Sequence, residues 1–164
     1  IFAKHIKRKL RINNLICVAP DVGGVERARS LGRRINVSIA IIDKRRPAPG
    51  KSEVMNIVGN IKNKNCVIVD DIIDTGGTIV NAAKALKDKD AKDIYVYITH
   101  AVLSGQAVEK IEKSQIKKLI TTDTIDNSKK IRGSKKIEII SMAPIISEAM
   151  KRIANSTSVS SLFK

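Results

Sequence analysis

The sequence predicts an α/β protein with a mainly parallel sheet flanked by helices. Three observations carry that expectation. Short β-branched, apolar runs recur along the chain, and each reads as a buried strand. Between them lie stretches whose apolar residues fall at i, i+3, i+4 and i+7, one stripe on a helix. Apolar residues make up 43% of the chain and are dominated by Ile, Val, Ala and Leu, with no Trp, a composition suited to a parallel sheet covered by helices. Strands alternating with helices then imply right-handed crossovers. At 164 residues the chain is expected to form one domain, residues 1–155, followed by a Ser-rich tail, 156–164. The tail is expected to be partly mobile.

Taken in order, residues 1–10 form a basic, partly helical segment. The first residue is Ile, not Met, so the sequence is expected to begin inside a longer product. Residues 15–19 read as a buried strand. Pro20, Asp21, Val22, Gly23 and Gly24 make a turn leading into a helix through Ala28, Leu31 and Ile35. The next strand is 38–43. It runs into Lys44, Arg45, Arg46, Pro47, Ala48, Pro49, Gly50 and Lys51, a loop by its prolines and glycine. Strands follow at 53–58 and 66–71, with a turn between them. A helix from Gly77 to about Lys87 carries Ile79, Ala82, Ala83 and Leu86 on one stripe. Further strands are read at 94–100, 118–122 and 136–141. Helices are read after Ser104 and Gly105, and over 143–153, where Ile146, Ala149, Met150 and Ile153 share a face.

The stretch Val67, Ile68, Val69, Asp70, Asp71, Ile72, Ile73, Asp74, Thr75, Gly76, Gly77, Thr78 organises the rest. It is strand, tight loop, helix N-terminus. In an open parallel sheet, ligands sit beyond the carboxyl ends of the strands. A helix N-terminus offers free backbone N–H groups and the positive end of a dipole, which suits an anion, most naturally a phosphate. Gly76 and Gly77 allow close backbone approach. Thr75 and Thr78 add hydroxyl donors. No Lys lies within the loop, which sets it apart from the GxxxxGK[ST] loop of nucleotide triphosphatases. Flanking carboxylates accept hydrogen bonds from sugar hydroxyls and can hold Mg²⁺. Together these features suit a phosphorylated sugar; a Gly-rich turn whose acids cap a helix fits the same letters. Asp21 repeats the device one strand earlier, as metal ligand, hydroxyl acceptor or helix cap. The basic loop from Lys44 reads either as cations closing over a polyphosphate or as a solvated hairpin tip. His100, at a strand end, is either structural or part of the crevice.

Composition excludes several classes. Cys17 and Cys66 lie in apolar runs, as buried small hydrophobes do, and no zinc spacing or disulfide framework is visible. There is no apolar run long enough to span a membrane and no signal peptide, so a cytoplasmic location is expected. Lys and Arg number 31 against 16 Asp and Glu, a formal charge of +15. The lysines are scattered, aromatics are only 2%, and no reading motif occurs, so specific nucleic-acid binding is not expected. The clusters over 4–11 and 129–136 are the part of the sequence that favours it.

The loop at Asp70–Thr78 resembles the ribose-phosphate loop shared by type I phosphoribosyltransferases and ribose-phosphate pyrophosphokinases. The Pro-Asp-x-Gly-Gly segment at Asp21, the Lys44-Arg45-Arg46-Pro47 loop followed by Ser52 to Asn56, and the ending Ser158 to Phe163 resemble the pyrophosphokinases specifically. The resemblance runs over nearly the whole chain. It implies a type I phosphoribosyltransferase-like fold and a ribose-phosphate diphosphokinase reaction, pyrophosphoryl transfer from MgATP to ribose 5-phosphate, giving phosphoribosyl diphosphate and AMP. It implies that Lys44 is catalytic and that Arg46 is catalytic and contacts substrate. It implies that Asp70 and Asp74 bind the ribose, that Asp71 belongs to the same ribose 5-phosphate site, that Asp74, Thr75, Gly76, Gly77 and Thr78 cradle its 5-phosphate, and that Asp21 binds Mg²⁺. It implies a regulatory role for Ser158, Ser160 and Phe163, and a homo-oligomer. Family members are about twice this length, and the chain matches only their C-terminal domain, without the half that supplies much of the ATP site. The alternative is a non-catalytic sugar-phosphate-binding, regulatory or relic protein. A phosphoribosyltransferase ranks last, because no base-binding hood is evident.

Overall fold

The computed structural model describes residues 1–10, 13–45 and 54–163. Among these residues one seven-stranded sheet forms the centre. Helix α1 (Phe2–His5) continues into a wider turn, Ile6–Leu10, and leads to β1 (Leu15–Ala19). A 3₁₀ turn, Val22–Gly24, opens α2 (Val25–Ile35), and then come β2 (Ile39–Arg45), β3 (Val54–Val58) and β4 (Asn65–Ile73). After these run α3 (Gly77–Lys87), β5 (Ile94–Ala101), α4 (Ala107–Lys113), β6 (Lys118–Thr122), β7 (Ile137–Ile140) and α5 (Ala143–Ala154). The strand order is β3-β2-β1-β4-β5-β6-β7. All neighbours pair in parallel except β2 and β3, which form an antiparallel edge.

Because side chains alternate along a strand, a sheet covered on both faces needs apolar residues at successive positions. Ile16, Val18, Cys66, Ile68, Ile94, Val96 and Ile98 point to one face, where Ile79, Ala82, Ala83 and Leu86 of α3 and Ile111 of α4 meet them. Cys17, Ala19, Val67, Val69, Tyr95, Tyr97 and Ile120 point to the other, against Ile6 and the α2 residues Ala28 and Leu31. The residue-by-residue swap leaves Cys17 and Cys66 in different layers, both free and buried, as the apolar runs imply. The amino-terminal segment is pinned through His5, whose ring bridges the Tyr97 hydroxyl (3.0 Å) and Glu138 Oε1 (3.3 Å).

Several boundaries differ from the sequence reading, each for a tertiary reason. β4 runs on through Ile73, past the acidic residues, because β5 continues to pair with it as far as Ile73 opposite Ala101. β2 extends to Arg45, so Lys44 stands on a strand, opposite Met55, instead of opening a loop. The remainder of the expected basic loop, including Arg46, lies outside the described residues. At Gly59 the backbone has φ 125°, and a Cβ there would come within 2.8 Å of Ala40 Cβ, so the turn after β3 needs glycine. The apolar stripe of α5 is left open: Ile146, Met150 and Ile153 are exposed. Asp123 holds the start of that helix, accepting from Met142 N at 2.7 Å and Ser141 Oγ at 2.6 Å. The Ser-rich tail folds back as a 3₁₀ turn, Ser160–Phe163, with Arg34 donating to the Phe163 carbonyl and Arg152 to that of Ser158.

Two measurements check this core. Truncating the fully buried Ile68 to Ala should cost about 2–5 kcal/mol in urea unfolding, whereas Met150→Ala on the open face of α5 should stay within about 0.5 kcal/mol. Burial pushes both thiols up to about 12, so at pH 8 neither cysteine should react with a disulfide reagent until the chain is unfolded.

Candidate functional site

The sheet reverses its winding between β1 and β4. From β1 the chain crosses through α2 to β2 on one side; from β4 it crosses through α3 to β5 on the other. α2 and α3 cover opposite faces, so the loops leaving β1 and β4 diverge and open a crevice above their carboxyl ends. A cleft of about 520 Å³ lies there. Its lining brings together Asp21 and Gly24 from the first loop and Asp70, Asp71, Asp74, Thr75, Gly76 and Thr78 from the second. Gly77 begins α3 directly behind them.

Gly76 occupies the N-cap position of α3 at φ 78°, and no side chain caps the helix. The N–H groups of that first turn have no partner further back in the helix, and the cleft is where they can find one. Asp21 has a partner: its Oδ1 accepts from Gly24 N at 3.0 Å. The helix-cap reading of Asp21 is therefore realised, and its carboxylate stands on the cleft wall as well.

The acidic row is organised by a residue that pattern reading did not single out. Arg27 donates from Nη1 to Asp70 Oδ1 at 2.7 Å and from Nη2 to Asp71 Oδ2 at 2.9 Å. Asp71 N adds a bond to Asp70 Oδ1 at 2.9 Å. Burial raises the carboxyl of Asp70 above its usual range, against the pull of the Asp71 amide and Arg27. Asp71 is more exposed, and there the Arg27 guanidinium and its hydrogen bonds outweigh desolvation and lower it. The sequence does carry one signal for Arg27. A cation in the first turn of a helix opposes the dipole and needs acids facing it.

The second loop is also braced from the β5–α4 connection. Val102 N and Ser104 N donate to the carbonyls of Ile73 (2.9 Å) and Asp74 (3.2 Å). Ser104 Oγ donates to Asp74 Oδ1, and Lys110 Nζ approaches the Thr75 carbonyl at 3.4 Å. Neither Ser104 nor Lys110 was legible as a site residue, because their relation to the loop exists only after β5 pairs with β4.

Other expected residues lie elsewhere. Lys44 on β2 does not line the cleft, and Arg46 is outside the described residues. His100 is tied at the rim to Thr124 Oγ1 at 3.0 Å and is not among the cleft residues. Ser158 and Ser160 bond to each other at 3.0 Å on the tail. Phe163 lines a separate cavity with Lys4, Arg34 and Ile145, and Arg27 reaches that wall too.

Comparison with known proteins identifies the fold and the family. Across 164 residues the chain is 49% identical to a ribose-phosphate pyrophosphokinase of Hyphomonas neptunium, covering 99% of this chain and 53% of that one. The crystal structure of phosphoribosylpyrophosphate synthetase from Mycobacterium smegmatis superposes with a TM-score of 0.85 at 29% identity, over 94% of this chain and 50% of that one. An adenine phosphoribosyltransferase shares the fold at TM-score 0.58 and 19% identity, over 73% of this chain and 74% of its own, as expected for the type I phosphoribosyltransferase fold. The chain spans about half the length of the curated relatives it matches. Residues 44–164 match the model of the phosphoribosyl synthetase-associated domain. From the end of β2 to the tail, then, the chain matches the phosphoribosyl synthetase-associated domain family and belongs to it, and it is homologous to the C-terminal half of ribose-phosphate pyrophosphokinases.

Proposed function

We propose that the chain binds ribose 5-phosphate in the β1/β4 cleft as the sugar-phosphate half of a ribose-phosphate diphosphokinase. In that reaction a pyrophosphoryl group passes from MgATP to the 1-hydroxyl of ribose 5-phosphate, giving phosphoribosyl diphosphate and AMP for nucleotide biosynthesis. One observation carries the reading. A helix start with an uncapped first turn stands beside a row of carboxylates in one cleft, a phosphate site next to a hydroxyl site.

The residues divide the work by their chemistry. The amides and hydroxyls from Thr75 to Thr78 hold the 5-phosphate. Asp74, with Asp70 and Asp71, accepts from the ribose hydroxyls. Arg27 offsets the charge of the acidic pair, so that a phosphate and three carboxylates can share one cleft. Lys44 and Arg46 are the cations for the transferred group, which needs positioning and charge neutralisation more than covalent help. Mg²⁺ fits the donor set, since Asp21, Asp70, Asp71 and Asp74 are all oxygen ligands. Among the described residues no three acidic, His or Cys groups form a complete cation cage. The ion proposed here is one held by one or two carboxylates and by substrate phosphates, with Asp21 as a protein ligand. Such an ion supplies charge neutralisation to the polyphosphate. Ser158, Ser160 and Phe163 are proposed to form a regulatory anion site, and the assembly a cytoplasmic homo-oligomer. Among the described residues, no helix is long and apolar enough to cross a membrane.

A second reading is a sugar-phosphate-binding subunit with no catalysis of its own. Titration calorimetry with ribose 5-phosphate tests what the two readings share. Binding should weaken about ten- to a hundredfold in Asp74→Asn, the loss of hydrogen bonding to a charged group. Absence of binding in the unaltered chain overturns the site. AMP formation from ATP, Mg²⁺ and ribose 5-phosphate separates the two. Catalysis by the chain predicts AMP that falls by about a hundredfold or more in Lys44→Ala; no AMP from a chain that binds the sugar leaves the binding-subunit reading.

A further inference from the structure

The β5–α4 connection does more than cap the sheet. Its backbone N–H groups at Val102, Leu103 and Ser104 all point at the second loop: the first two share the Ile73 carbonyl at 2.9 and 3.4 Å, and the third takes that of Asp74 at 3.2 Å. Ala107 packs under Gly76, and a Cβ on that glycine would lie 3.7 Å from Ala107 Cβ. The entry to the loop is thus held by this connection, and Gly76 lies against the first residue of α4. Leu103 is buried and adopts φ 51°, a left-handed conformation that turns the chain so that Ser104 follows at the loop's edge.

Among the described residues, one side chain of the connection reaches a loop carboxylate: Ser104 Oγ donates to Asp74 Oδ1. An aspartate on a tight loop has a broad, roughly two-fold χ2 well and no packing to hold it. A hydroxyl donor on one oxygen fixes the plane of the carboxylate. The second oxygen is then left as an acceptor in a set direction. The cleft already contains Asp74, and the other acidic residues are occupied differently: Asp70 and Asp71 by Arg27, Asp21 by the Gly24 amide. Each acid on the wall thus has a protein donor, Arg27 being shared by Asp70 and Asp71 and the Asp71 amide adding to Asp70, and Ser104 supplies the hydroxyl on Asp74.

We infer that Ser104 is a positioning residue for sugar recognition, acting through Asp74: it aims the free carboxylate oxygen at a ribose hydroxyl, while the loop amides hold the phosphate without it. This rests on the reading of the cleft as a ribose 5-phosphate site. A merely structural serine would move sugar and phosphate binding together; a positioning serine separates them.

The test is calorimetric titration of the chain, Ser104→Ala and Ser104→Thr with ribose 5-phosphate and, separately, with inorganic phosphate. Ser104→Ala should weaken ribose 5-phosphate about tenfold, the worth of one hydrogen bond to a charged group. Inorganic phosphate should bind with unchanged affinity, which also reports that the loop is folded. Ser104→Thr, which keeps the hydroxyl, should restore the ribose 5-phosphate affinity. If the unaltered chain binds ribose 5-phosphate and Ser104→Ala binds it equally well, this inference falls and the cleft assignment stands. If Ser104→Ala weakens both ligands by the same factor, the serine is structural and the inference falls likewise. If the unaltered chain binds no ribose 5-phosphate, the cleft assignment falls and the inference with it.

Discussion

A parallel strand cannot turn back on its neighbour; it must cross over the sheet, and each crossover buries one face. Where two adjacent strands send their crossovers to opposite faces, the loops that leave them diverge and the sheet edge between them stays uncovered. β1 and β4 are that pair here. The cleft, the convergence of two acidic loops and the position of the α3 N-terminus all follow from this single topological fact. Nothing about Asp21 and Asp70 places them together until Ile16 is registered against Cys66 and Val18 against Ile68.

The concentration of carboxylates creates an electrostatic problem that the fold answers locally. Four acids line one cleft that also offers amides to an anion. Left alone, they would repel each other and any phosphate. Arg27 meets two of them from α2 and is itself relieved by them, because its place in the first helical turn is otherwise opposed by the dipole. A helix-cap bond occupies the third and a serine hydroxyl the fourth. The strong net positive charge of the chain adds a diffuse field favourable to phosphorylated ligands. The sharp terms, though, are these short-range pairs.

The two ends of the molecule differ in how completely they are packed. The central strands are covered on both faces, and α3 buries Ile79, Ala82, Ala83 and Leu86. α5 buries no residue and leaves Ile146, Met150 and Ile153 in solvent, although its periodicity is that of a core helix. Arg27 also lines the cavity beside the tail and Phe163, so the acidic cleft and that cavity share a wall.

The sequence by itself determined the fold class, because unbroken runs such as Cys66–Val69 are intelligible only as strands buried on two faces, and because Ile79, Ala82, Ala83 and Leu86 repeat at the helical period. It also determined the strand, tight loop and helix start around Gly76, since two glycines and two threonines after a strand and before a helix form a local device whose parts are adjacent in the chain. The tertiary structure decided what depends on residues far apart. β4 lengthens past its acids because β5 supplies partners, and Lys44 lies on a strand because β3 pairs back against β2. Arg27 meets Asp70 across 43 positions, and Ser104 meets Asp74 across 30. Such contacts leave no period or spacing in the letters, because side chains that meet across strands are brought together by register, and register is a property of the whole sheet.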